Sequence, residues 1–191
     1  MSKSKLYLTQ ADDGLELSRE EFAEADHSER LRFERVNGRL QLMVPPGFDH
    51  HRSVKPFRNH LGAYELAHPE IVEDVFQEGW QVTDPETDRI PDIQVYLRSN
   101  PDPRPFPDRV ADMIFESVSE DRRDRDRDYR DKRDEYEQIG VREYVIIDRF
   151  EHKLTVLRLK GRRYVETVLG PDDVYTSPLL PGLAVPLNGI I

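Results

Sequence analysis

Within Ala111–Val118 the apolar run Met113-Ile114-Phe115 lies between polar residues, and in extended chain the side chains alternate, setting Asp112, Ile114, Glu116 and Val118 on one side and Met113, Phe115 and Ser117 on the other. This spacing predicts a strand. In the polar stretch that follows, Ser119 or Asp121 can cap a helix running to about Ile139, with Gly140 placed to end it. Tyr144–Asp148 is apolar again and predicts a buried strand, so the three elements read as a strand–helix–strand unit closing a parallel pair. Within the helix, Tyr129, Lys132, Tyr136 and Ile139 recur at steps of three, four and three, making one face. That face alone has apolar members, so it is expected to pack inward. It carries Lys132 toward the sheet, with Asp128 one turn earlier.

Upstream, Met1–Gly14 is polar and is expected to fray. Ser18-Arg19-Glu20-Glu21 forms a capping box for a short helix through Ala25. Phe33–Val36 and Arg39–Val44 flank Asn37-Gly38, a hairpin signal, and Pro45-Pro46-Gly47 ends the second strand. Val54, Phe57, Leu61, Tyr64 and Leu66 predict a helix over His50–Ala67, its regular part beginning at Pro56. Val72–Gln77, Trp80–Thr83 and Arg89–Leu97 read as three strands, with Asn100–Asp108 a proline-rich loop. Lys153–Leu159 and Arg162–Val168 make a hairpin across Lys160-Gly161. Ser177–Leu183 suits an apolar, proline-broken segment laid over the core. No internal repeat is present, and one domain over 15–191 behind a flexible 1–14 is expected.

Composition narrows the classes. The chain has 191 residues, long enough for one well-buried domain. No apolar run approaches the ~18 residues of a membrane span. No signal-peptide pattern opens the chain, and the absence of cysteine excludes disulfides and thiolate-held zinc, so a cytoplasmic setting is the default. A net charge of -10 argues against a general nucleic-acid binder but leaves room for a local basic groove. It also suits a solubilising surface. Acids and bases alternate through Asp121–Glu137, unlike a basic arm. There is no Gly-rich phosphate loop and no Ser-His-Asp arrangement.

Asp92 heads one strand, Glu116 lies within the next, and Lys132 faces inward from the helix that follows. Two acids on adjacent strands can hold a hard divalent ion such as magnesium. A nearby ammonium can orient a water or stabilise charge on a phosphoryl group, and phosphodiester hydrolysis asks for these parts. The same residues also fit a purely structural role, with Asp92 capping a turn and Glu116 paired to Lys132 as a buried ion pair. His50 and His51 are adjacent and do not converge on one ion. Asp112 shares the Glu116 side but belongs to the turn leading into the strand.

The chain resembles the Uma-two family of restriction-endonuclease-like proteins, a branch of the PD-(D/E)XK nuclease superfamily, from about Leu17 to Leu187. The resemblance rests on Arg32-Phe33-Glu34-Arg35-Val36-Asn37-Gly38-Arg39-Leu40, the double proline followed by His50, and Pro91-Asp92-Ile93. It continues through Phe115-Glu116-Ser117-Val118-Ser119, then Asp128, Lys132 and Tyr136 in a D-x3-K-x3-Y helix. Gly140–Tyr144 with Ile147-Asp148, and Ser177–Leu183, complete it. It implies an α/β, restriction-endonuclease-like single domain with a mixed, curved sheet flanked by helices. It further implies that Asp92 and Glu116 bind Mg2+ or Mn2+. Lys132 would be the motif lysine moved onto the helix, because Val118 occupies its usual place. Glu34 would be a further acid, Tyr136 and Asp128 would support Lys132, and His50 would lie near the phosphate path.

The implied activity is that of an endonuclease on DNA, the implied assembly a homodimer, with no membrane partner. Glu120 departs from the family's proline, and Ser119–Asp128 is longer by about two residues; inside the helix these would turn Lys132 by roughly 200°, and in the preceding turn by nothing. The inward stripe favours the second. Two alternatives stay open: an inactive nuclease-like binding or assembly module, and a metal-dependent hydrolase of a small phosphodiester.

Overall fold

The computed structural model describes residues 5–43, 47–118 and 127–191. The described part of the N-terminal stretch forms strand β1 (Tyr7–Leu8) and a single 3-10 turn at Gln10–Asp12. Leu8 is fully buried in a cluster with Leu17, Phe22, Phe33 and Leu40, and this contact holds the segment despite its polar neighbours. Ser18 caps helix α1 (Arg19–Glu24), taking the Glu21 N–H while Glu21 takes the Ser18 N–H. Strand β2 (Asp26–His27) runs parallel to β1. Strands β3 (Arg32–Val36) and β4 (Arg39–Met43) form a hairpin whose turn residues, Asn37 and Gly38, have φ of 52° and 75°. Asn-Gly adopts that tight turn at least cost. Residues 44–46, with the Pro45-Pro46 stop, lie outside the described residues.

Helix α2 (Phe48–Ala67) starts ahead of His50 and runs through Pro56 rather than beginning at it. A helix-interior proline forfeits a backbone hydrogen bond. Burial of Phe57, Leu61 and Tyr64 offsets that loss. Strands β5 (Val72–Gln77) and β6 (Gln81–Asp84) follow. The stretch Arg89–Leu97, one strand by its alternation, is divided: β7 (Thr87–Arg89) and β8 (Ile93–Leu97) are separated at Ile90-Pro91-Asp92. Pro91 has no N–H to give to a ladder, and the chain changes sheets there.

Strand β9 (Met113–Ser117) comes next. From Arg127 a π-helical turn, Arg127–Asp131, leads into helix α3 (Lys132–Ile139), which Gly140 ends at φ 90°. The helix start expected at Ser119 or Asp121, Glu120, and the longer spacing lie outside the described residues. Strands β10 (Glu143–Asp148), β11 (Lys153–Lys160) and β12 (Arg163–Leu169) continue the sheet. The C-terminal segment is more regular than its prolines suggest. It is a hairpin of β13 (Val174–Ser177) and β14 (Leu180–Pro186) that buries Tyr175, Leu180, Leu183 and Val185.

Two main sheets result, where the sequence suggests one. A six-stranded mixed sheet has the order β12-β11-β10-β9-β8-β5, parallel at β9/β10, and a four-stranded sheet has the order β4-β3-β7-β6. The alternation in β9 divides the core as its spacing predicts. Met113 and Phe115 join Phe57 and Leu61 of α2 and the β13–β14 hairpin on one face. Ile114 joins Tyr136, Tyr144 and Ile146 on the face covered by α3. No helix among the described residues is long and apolar enough to cross a membrane.

Candidate active site

Sheet register brings the first two acids together. Ile93 of β8 pairs antiparallel with Phe115 of β9, so Asp92 comes opposite Glu116. The Ser117 N–H donates to Asp92 Oδ2 at 2.8 Å, and His50 Nε2 lies 2.8 Å from Asp92 Oδ1. These contacts fix both Asp92 oxygens. Ser53 of α2, 2.6 Å from the Ser117 hydroxyl, ties the helix bearing His50 to the same strand.

Glu116 points to the α3 face. Lys132 Nζ donates to its Oε1 at 2.7 Å, and the Tyr136 hydroxyl donates to the same oxygen at 3.1 Å. The ammonium is also 3.2 Å from Asp128 Oδ1 and 3.9 Å from Glu34 Oε1. Glu34 comes from the other sheet, on β3, and accepts from Arg89 Nη1 at 2.9 Å and from the Ile90 N–H at 3.1 Å. All seven residues singled out in the sequence (Glu34, His50, Asp92, Glu116, Asp128, Lys132 and Tyr136) therefore gather where the two sheets and α3 meet. All except His50 are buried, or nearly so.

The Glu116–Lys132 contact is also what a plain buried ion pair would give. What exceeds that description is the surplus of acid around one ammonium. Burial pushes Glu116 up to about 8, with Asp92 and Asp128 adding to the rise and Lys132 opposing it. Burial also raises Asp128, again against Lys132. Glu34 behaves oppositely: burial would raise it, but Lys132, Arg89 and Arg127 outweigh that and bring it down to about 2. Burial opposes charge on Lys132, yet Glu116, Asp128 and Glu34 hold it above the usual lysine range. Burial likewise works against a charged His50, but Asp92 and then Glu116 hold it above its usual value.

The acids line a cleft of about 460 Å³ whose walls also include Arg32, Arg127, Arg149 and Phe48. Asp92 and Glu116 offer only carboxylate oxygen, the hard donor set that suits magnesium or manganese. Lys132 and Tyr136 both address Oε1 of Glu116, and neither contact engages Oε2. Among the described residues no three His, Asp or Glu side chains form a ready-made cage. An ion held by these two carboxylates would have to complete its shell with water, which magnesium readily does.

Sequence reasoning misses Arg89 and Glu135. Arg89 is fully buried and forks onto Glu135, Nε to Oε2 at 2.8 Å and Nη2 to Oε1 at 2.5 Å, while also holding Glu34. The available signal is spacing: Glu135 lies one turn beyond Lys132 and Arg89 three residues before Asp92. Arg127, buried beside Asp128, is missed because the charged tract around it gives no contrast. Asp112 is structural, accepting from the Leu97 N–H and Asn100 and pairing with Arg142. His51 does not join His50 at Asp92; their ring centroids are 6.2 Å apart.

A family model described as "Putative restriction endonuclease", Uma2, matches residues 19–188. Among solved structures, the crystal structure of a "putative nuclease belonging to DUF820" from Anabaena variabilis ATCC 29413 is similar at a TM-score of 0.71 and 17% identity. The similarity covers 91% of this chain and 97% of that one, and at such identity it speaks for the fold alone. No curated protein matches the chain. With the family match running from α1 to just past β14 and taking in all seven gathered residues, the chain belongs to the Uma2 (Uma-two) family and has a restriction-endonuclease-like, nuclease-type fold.

Proposed function

We propose that this protein is a magnesium- or manganese-dependent endonuclease that hydrolyses DNA phosphodiester bonds in the cleft between its two sheets. The observation that carries this reading is the convergence of Asp92 and Glu116, opposed across β8 and β9, with an ammonium 2.7 Å from Glu116. Asp92 and Glu116 would hold the ion, which when bound would polarise a phosphate oxygen and lower the pKa of water. Asp92 is pre-oriented for this by the Ser117 N–H and His50. Lys132, fixed by Glu116 and Asp128 and backed by Tyr136, would orient the attacking water and face the charge developing on phosphorus. Glu34 keeps its charge because Lys132 and then Arg89, which donates to its second oxygen, outweigh its burial. Membership of a family described as restriction endonucleases supports the choice of substrate.

Plasmid cleavage tests the proposal. Supercoiled DNA should be nicked or linearised by the wild type with Mg2+ or Mn2+, and neither Asp92→Ala nor Lys132→Met should retain more than about 1% of that rate. Metal-dependent DNA binding without cutting would make this an inactive binding module. Turnover of a chromogenic phosphodiester but not plasmid would point to a small substrate. Sedimentation of the same preparations reads the homodimer that belongs to this proposal.

A further inference from the structure

A second cavity, of about 270 Å³, lies against the first. It is lined by His51, Arg58, Gln77 and Glu78, and it shares His50 and Asp92 with the main cleft. The hydrogen-bonded His50–Asp92 pair is therefore a common wall. One ion pair spans the same boundary. Arg32 lines the main cleft, Glu78 lines the second cavity, and Arg32 Nη2 is 2.6 Å from Glu78 Oε2. Arg32 opens β3, and Glu78 lies in the turn by which the chain passes from β5 of the six-stranded sheet to β6 of the four-stranded one.

Glu78 is held in position by its backbone. Its φ is +56°, left-handed for a residue with a side chain, and its N–H donates to the Asp92 carbonyl at 3.3 Å. At Gly79 behind it, an added Cβ would have to displace the Gln94 side-chain amide. The Glu78 N–H thus ties the turn to the backbone of Asp92. The ion pair itself is weak. Arg32 and Glu78 side chains are 22% and 46% exposed, and pairs in such surroundings contribute little to stability. A phosphate oxygen can accept from Arg32 as Glu78 Oε2 does, and a phosphate can also engage arginine through two oxygens.

Resting on the proposed reading that the substrate is a nucleic acid, we infer that Arg32 is a phosphate-backbone ligand masked by Glu78. The two cavities are then the arms of one groove passing Asp92, joined when a strand displaces Glu78 from Arg32. Arg58 supplies the cation of the second arm, as Arg127 and Arg149 do in the first.

The test is fluorescence anisotropy with a labelled DNA oligonucleotide in EDTA, so that binding is read without cleavage. Wild type, Glu78→Gln, Arg32→Gln and the double variant are compared, with thermal melts to verify that the half-buried Arg32 and exposed Glu78 can be replaced without unfolding. Glu78→Gln should bind more tightly by up to about fivefold, the equivalent of a surface ion pair. Arg32→Gln should bind more weakly, with a salt slope lower by about one. The double variant should match Arg32→Gln. No gain in Glu78→Gln, a gain that persists without Arg32, or no binding by any variant overturns the inference. If the expected pattern appears in a protein that cuts nothing, the endonuclease reading fails and the groove stands. If the protein cuts plasmid without the pattern, the groove fails alone.

Discussion

Glu34 and Glu116 sit on either side of one ammonium, and their surroundings drive them in opposite directions. Glu34 is held near 2, below its unfolded value of 4.5, so it stabilises the fold above pH 4.5 and loses that contribution as pH falls toward 2. The loss should amount to roughly 3 kcal/mol, and urea unfolding should show the advantage of wild type over Glu34→Gln as constant above pH 4.5 and shrinking by that amount as pH falls toward 2. Glu116 is held near 8, above its unfolded value, so without a cation it weakens the fold as pH rises from 4.5 toward 8. These two side chains were partly legible in the sequence. Glu116 declared itself as a carboxylate directly after the apolar run Met113–Phe115 of a strand expected to be buried, whereas Glu34 entered only through the family resemblance. Arg89, which makes Glu34 tolerable in the interior, had no pattern to announce it. Its partners come from β3 and α3, distant in sequence, and only the fold brings them together.

At the scale of elements, local chemistry was readable wherever a short stretch decides its own shape. The Ser18 capping box, the Asn37-Gly38 turn, the alternation in β9 and the Lys132–Tyr136 face are all of this kind. It failed where a non-local choice prevailed. Arg89–Leu97 alternates as one strand, yet Pro91 sends its halves to different sheets, and this break places Asp92 at the edge of the cleft. Pro56 is accommodated inside α2 because the helix buries an apolar face. The π-helical turn lies before Lys132, so the spacing from Lys132 to Tyr136 stays α-helical and both reach Glu116. Gly140 ends α3 at φ 90° with open space where a Cβ would go. Gly140→Ala should therefore cost only the left-handed backbone, about 1 kcal/mol, and lower Tm by roughly 2–4 °C. A differential scan checks this; a larger loss would mean that the cap also sets the helix position.

For the molecule as a whole, the net charge is -10, and the two cavities mix the signs. Arg32, Arg127 and Arg149 line the main cleft beside Asp92, Glu116 and Asp128, so a bound divalent cation would add positive charge where a phosphate would approach. The central claim is that Asp92 and Glu116 share a divalent ion beside Lys132, and titration calorimetry with Mn2+ and Mg2+ tests it most directly. The wild type should bind one ion per chain. Binding should be lost in Asp92→Ala and Glu116→Gln, and the proton released by Glu116 on binding should vanish as pH rises past about 8. No binding by the wild type, or equal binding by all three proteins, would contradict the account.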